Sequence, residues 1–199
     1  MRVTVYAGSS VGNRPVFAQE AGRFAARLAQ SGCDIVYGGG SVGLMGVVAD
    51  AALAHGGKVI GVIPRSLVDA EVAHTSLSEL HVVESMRERK AMMERLGDCF
   101  VALPGGIGTL EELFEVWASL VLGHHRKPVM LLNTEDYWNR LLSLAVKSAN
   151  YGFMSVEESR SLIPVHSADE VLDVVARWSP PAPRWPAGPS SRPAPLPVD

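Results

Sequence analysis

The 199-residue chain lacks the features that mark several protein classes. It has two cysteines, Cys33 and Cys99, with no CxxC or histidine-rich spacing beside either, so neither a disulfide framework nor a metal site is expected. No apolar run is long enough to span a bilayer, so no membrane partner is expected. The chain opens on Arg2-Val3-Thr4-Val5-Tyr6, a strand pattern with no place for a signal peptide's basic and apolar regions, and a cytoplasmic location is the expectation. An excess of basic charge is also missing. The net charge of -3 and pI near 6.1 argue against binding a nucleic-acid polymer.

What is present is an ordinary globular composition, 47% hydrophobic and 20% charged, in a length that suits one core. Six short apolar runs read as buried strands: Val3 to Tyr6, Asp34 to Tyr37, Lys58 to Ile63, Leu80 to Val83, Cys99 to Leu103 and Val129 to Asn133. Helix-period segments lie between most of them. One begins near Pro15, with Phe17, Ala21, Phe24 and Leu28 on one face, and ends at Gly32. Another runs from about Val42 to His55. Strands that are apolar throughout and alternate with helices imply an α/β doubly wound parallel sheet covered on both faces. Residues 1–178 are expected to form this single domain. From Ser179 onward proline is too dense for helix or strand, and residues 179–199 read as a disordered tail.

Ligands of such sheets bind beyond the C-terminal strand ends. Three small-residue loops fall there: Ala7-Gly8-Ser9-Ser10, Gly38 to Gly43, and Pro104 to Thr109. Gly38, Gly40 and Gly43 match GxGxxG, but the strand after them ends in Pro64-Arg65 instead of an acid for a ribose. That departure counts against NAD, and only Arg65 speaks for NADP. The alternative is that these glycines serve helix-strand packing alone. Gly105-Gly106-Ile107-Gly108-Thr109 places backbone N–H groups at a helix start, where an anion is favoured. It is no Walker A loop, since the Lys-Ser or Lys-Thr pair is missing, so a phosphate held there is an anchor and not a leaving group.

Thr109 and Glu112 have the spacing of a capping box, and Glu111 that of an acid favouring the helix dipole. Local pattern alone favours capping over chemistry for both. Ser85 and Glu88 repeat the device at the next helix upstream, whose stripe of Met86, Arg89, Lys90, Met93 and Leu96 sets a cation into an apolar face. Arg89 is either a snorkelling side chain or a group that reaches the same crevice.

PGGIGTLEE, together with Met86-Arg87-Glu88-Arg89-Lys90 and Gly38 to Gly46, resembles the LOG ("Lonely Guy") phosphoribohydrolases, whose motif is PGGxGTxxE with an upstream Arg-Lys pair. The likeness runs from Arg2 to about Trp178. It implies a Rossmann-like homodimer without cofactor or metal. The implied reaction hydrolyses the N-glycosidic bond of a purine nucleoside 5'-monophosphate, either a cytokinin-type N6-modified adenine nucleotide or AMP, to free base and ribose 5-phosphate. By motif position Arg89 and Glu112 match the catalytic pair. Glu71, Lys90, Gly106, Ile107, Gly108 and Thr109 match nucleotide contacts, and Ser9, Gly39, Met86, Leu110 and Glu111 extend that set along the same loops.

Such proteins were often labelled lysine decarboxylases, but no lysine here has a pyridoxal-phosphate context. The competing reading is a non-catalytic carrier of a phosphorylated cofactor such as molybdenum cofactor, which shares the glycine loop. A carrier has no need of the Arg89/Glu112 pair. The segment from Leu110 to Leu122, with Phe114, Trp117, Leu120 and Val121, is apolar over a wide arc, which suits a dimer contact as well as a core.

Overall fold

The computed structural model describes residues 1–70 and 72–185, and in it the six expected strands form and a seventh joins them. The strands are β1 Arg2–Tyr6, β2 Asp34–Tyr37, β3 Val59–Pro64, β4 Glu79–Val83, β5 Cys99–Ala102, β6 Val129–Leu132 and β7 Leu162–Val165. The helices are α1 Pro15–Gln30, α2 Gly43–Ala54, α3 Arg65–Asp69, α4 Met86–Leu96, α5 Ile107–Leu122, α6 Asn139–Asn150, α7 Val156–Arg160 and α8 Ala168–Arg177. All strand pairings are parallel, in the order β4-β3-β2-β1-β5-β6-β7. β7 escapes a sequence reading because Leu-Ile-Pro-Val carries Pro164, which cannot donate to a ladder. It is tolerated because β7 is an edge strand and Pro164 is exposed.

Strand alternation divides the core between the two sheet faces. Val3, Val5, Ile35 and Tyr37 pack with Phe24 and Leu28 of α1 and Leu44 and Val48 of α2. Tyr6, Val36 and Phe100 face the other way, with Met93 of α4 and Leu113 and Trp117 of α5. Each large side chain buried this way contributes on the order of 1.5–3 kcal/mol. α1 starts at Pro15, whose missing N–H costs nothing in a first turn, and the chain leaves it through Gly32 at φ 73°.

The strand order reverses between β1 and β5, so the loops after these two strands diverge and open a crevice. Among the described residues no helix is long and apolar enough to cross a membrane. Residues 179–185 form neither helix nor strand, as their prolines require, yet they contact the body. The Arg184 N–H donates to the Val121 carbonyl at 3.0 Å, and the Arg184 guanidinium reaches the Phe153 carbonyl and Glu158. The remainder of the expected tail, 186–199, lies outside the described residues.

Candidate active site

α4 begins at Ser85, whose hydroxyl accepts the Glu88 N–H at 3.2 Å, as the spacing anticipates. The Glu88 carboxylate returns to the N–H of Glu84, at 2.9 Å, one residue earlier than a strict capping box. The helix so placed buries Arg89 and Met93 on its inner face. Arg89 does not snorkel. Its Nε donates to the Val62 carbonyl within β3, at 3.1 Å, and its Nη1 lies 3.1 Å from Glu112 Oε1. Room for the guanidinium comes from β2's exit: a Cβ on Gly38 would sit 1.7 Å from Arg89 Nη2. Gly38 is therefore a glycine because Arg89 occupies its side-chain space.

The capping box expected at Thr109 and Glu112 does not form. Leu110 N–H already bonds to the Gly106 carbonyl at 3.0 Å, so the helix is under way three residues earlier, with Gly106 at its cap position and no side chain capping it. Thr109 then lies in the first turn, buried, its hydroxyl filling the space beside Gly105. Glu112 falls further along α5, on its buried face. Burial pushes the Glu112 carboxyl up to about 7, with Glu111 and Glu115 adding to the rise and Arg89 and Lys90 opposing it. Beneath the pair, burial first and the Glu112 charge second raise the Tyr6 phenol well above its usual value.

The two glycine-rich loops differ in what fills the missing side chains. A Cβ at Gly40 would meet Met45 at 2.9 Å, and one at Gly43 would meet the Ser9 backbone at 2.2 Å. With Gly38 taken up by Arg89, every glycine of the GxGxxG pattern serves internal packing, and the dinucleotide reading loses its support. Gly39 is buried too, its carbonyl accepting the His74 N–H at 2.9 Å. Gly106 and Gly108, by contrast, have nothing within 4 Å of a Cβ. Their bareness leaves the start of α5 uncovered, where unpaired N–H groups and the helix dipole favour an anion.

Beside this helix start, Ser9, Ser10, Leu44, Pro104, Gly105, Gly106 and Tyr137 line a cleft of about 230 Å³ at the reversal of strand order. On the other side, Lys90 pairs with both Glu111 and Glu115, one turn apart on α5. Burial works against the Lys90 ammonium, but the two carboxylates outweigh it and raise its pKa. Met86, Ile107, Leu110 and Phe114 surround this cluster on an open surface, with Ile107 82% exposed. Glu71 lies outside the described residues. Sequence reading missed Glu115, which its i,i+4 spacing from Glu111 signals, and Tyr137, for which no local signal exists.

The arrangement combines an uncovered helix start with a buried carboxyl poised near neutrality, held beside a fixed cation. Along α5, Gly106 and Glu112 are about 9 Å apart. A phosphorylated sugar bound by its phosphate at the first would bring its ring toward the second.

Comparisons with known proteins assign the chain to a family. The family described as "Possible lysine decarboxylase" matches residues 45–175. A cytokinin riboside 5'-monophosphate phosphoribohydrolase of Arabidopsis thaliana is 44% identical over 179 residues, 90% of this chain and 78% of that protein. A probable enzyme of the same name from Oryza sativa subsp. japonica is 44% identical over 178 residues, 89% of this chain and 80% of its own. Among solved structures, the molybdenum cofactor binding protein of Rippkaea orientalis superposes with a TM-score of 0.64 at 20% identity, covering 88% of this chain and 93% of its own. The Moco carrier protein of Chlamydomonas reinhardtii gives 0.65 at 19%, covering 88% and 95%. At those identities the two carriers share the fold alone, whereas the relatives at 44% identity cover about nine-tenths of this chain, and the chain belongs to the LOG family of cytokinin riboside 5'-monophosphate phosphoribohydrolases.

Proposed function

We propose that this chain hydrolyses the N-glycosidic bond of a purine nucleoside 5'-monophosphate, an N6-modified adenine nucleotide or AMP, releasing the free base and ribose 5-phosphate. The observation that carries this reading is the buried Arg89–Glu112 pair one and a half turns beyond an uncovered helix start. The 44% identity to proteins named for this reaction supports it.

In this reading the 5'-phosphate accepts the N–H groups of Gly106, Ile107, Gly108 and Thr109. The bond from C1' to the base breaks through an oxocarbenium-like sugar, its electron pair leaving with the base, which takes a proton from solvent. The Glu112 carboxylate beside C1' stabilises the positive charge and takes a proton from the attacking water, returning it to solvent afterwards. A carboxyl near 7 suits both tasks, because it is neither a spent base nor a permanent acid at neutral pH. Arg89 keeps its proton; it orients Glu112 and favours its charged form. Ser9 lines the cleft beside the phosphate, while Lys90, Met86, Leu110 and Glu111 border the site from its open side. A pure carrier would gain nothing from burying an ion pair there.

Incubation with AMP and with N6-isopentenyl-AMP, followed by measurement of free base and ribose 5-phosphate, tests the reading. Release of both products from either nucleotide is the expected result. Binding without release would leave a carrier. The working form is a homodimer built on the exposed apolar surface of α4 and α5, where Met86, Ile107 and Phe114 stand 46%, 82% and 43% exposed. Free thiols at Cys33 and Cys99 suit a reducing compartment, and the cytoplasm is the proposed location.

A further inference from the structure

Tyr137 follows β6 on a turn, Thr134–Asp136, that is built against backbone preference. Glu135 and Asp136 both take left-handed conformations, at φ 55° and 58°, without being glycine. Three ties hold the turn. The buried Asn133 accepts the Trp138 N–H at 2.9 Å, its own amide donates to Asn139 at 2.8 Å, and Arg14 pairs with Glu135 at 2.6 Å. A conformation so constrained persists because its surroundings over-determine it, and such turns gather at ligand sites.

The product of these constraints is the position of one hydroxyl. Tyr137 Oη donates to the Gly105 carbonyl at 2.6 Å, while its ring stands edge-on to Phe17 and Trp138. A trans peptide points its C=O and N–H in opposite directions, so fixing the Gly105 carbonyl also fixes the Gly106 N–H. That N–H has no partner among the described residues. Flanked by two glycines, the 105–106 peptide has few barriers of its own to rotation. Tyr137 is the side chain that holds it.

We propose that Tyr137 is a positioning residue for phosphate recognition: by holding the Gly105 carbonyl it presents the Gly106 N–H to the substrate's 5'-phosphate, and the Arg14–Glu135 pair holds Tyr137 in place. This rests on the phosphoribohydrolase reading of the site but concerns the binding half of it, which is measurable without turnover. Specificity for a nucleotide over its phosphate-free nucleoside would then depend on a residue that need not touch the substrate.

Calorimetric titration of ribose 5-phosphate into wild type, Tyr137→Phe and Arg14→Gln tests this. Tyr137→Phe keeps the ring packing and is expected to bind about tenfold more weakly, the loss of one hydrogen bond's worth of order. Arg14→Gln should shift affinity the same way by about threefold, since it loosens the turn and spares the hydroxyl. Steady-state rates add a second readout: the ratio of kcat/KM for AMP over adenosine should fall about tenfold in Tyr137→Phe, as expected when one hydrogen bond to the anion site is misdirected. Unchanged ribose 5-phosphate affinity in Tyr137→Phe would overturn the proposal, as would equal losses for AMP and adenosine. So would a wild-type protein that takes no ribose 5-phosphate. A protein that binds it through Tyr137 but cleaves no nucleotide would sink the hydrolase reading and leave the role of Tyr137 standing.

Discussion

Glu112 Oε1 lies 3.1 Å from Arg89 Nη1, yet among the described residues it accepts no hydrogen bond. The guanidinium neutralises the carboxylate without aiming an N–H at that oxygen. The oxygen is itself buried, so its lone pairs stand without a partner inside the protein. A buried pair that leaves an acceptor unsatisfied costs stability, so this one is not explained by its contribution to the fold.

Glu112→Gln is expected to lower kcat by about 10²–10³-fold, the usual cost of removing one group that stabilises transition-state charge. The fold should not suffer. Burial disfavours the Glu112 charge despite Arg89, so a neutral amide of the same shape should leave the melting temperature unchanged or raise it. Thermal unfolding beside steady-state rates checks both halves, and wild-type turnover would return Glu112 to a structural role.

Because the Glu112 carboxyl is held at about 7, above its usual 4.5, the folded chain binds this proton more tightly than the unfolded chain does. Its contribution to stability is fully present below about 4.5 and is lost as pH rises to about 7, on the order of 3 kcal/mol. Denaturant unfolding from pH 4.5 to 8 should show this decline in wild type and not in Glu112→Gln. Activity should run the opposite way, with kcat/KM rising through an apparent pKa near 7 as the carboxylate forms.

Gly38→Ala offers a test of Arg89 that leaves Arg89 in the chain. The added methyl would fall 1.7 Å from Nη2, and the far end of a long side chain is the part that can move. A folded protein with activity reduced about as far as in Arg89→Ala is expected. Near-normal rates in both variants would remove the guanidinium from the reaction.

Gly108→Ala separates stability from binding. Its Cβ meets nothing within 4 Å, and alanine improves helix propensity by up to about 1 kcal/mol, so the melting temperature should rise. The same methyl would enter the space proposed for the phosphate. KM for AMP should increase at least several-fold, and an unchanged KM would place the phosphate elsewhere.

Phe114→Glu puts a charge on the apolar surface shared by α4 and α5. Sedimentation equilibrium should give a dimer for wild type and a monomer for this variant, with the monomer's circular dichroism unaltered because Phe114 is 43% exposed. A monomeric wild type would dispose of the homodimer.

Sequence by itself determined the alternation of buried strands and helices, the parallel sheet, and the three loops at its C-terminal edge. These follow from periodicity and from glycine and proline placement, which act through near neighbours along the chain. It reached β1 to β6 but not β7, because Pro164 is acceptable only on an edge, and which strand lies at an edge is a property of the whole sheet. It read the start of α5 three residues late, since Thr109 and Glu112 have a cap's spacing while Gly105 and Gly106 have the backbone freedom to begin the helix first. Only the tertiary structure brought Arg89 through the gap at Gly38 to Glu112, and Tyr137 to Gly105. The Glu112 carboxyl owes its place near 7 to the same cause. Burial is a sum over everything packed around a group, and no local stretch of sequence contains that sum.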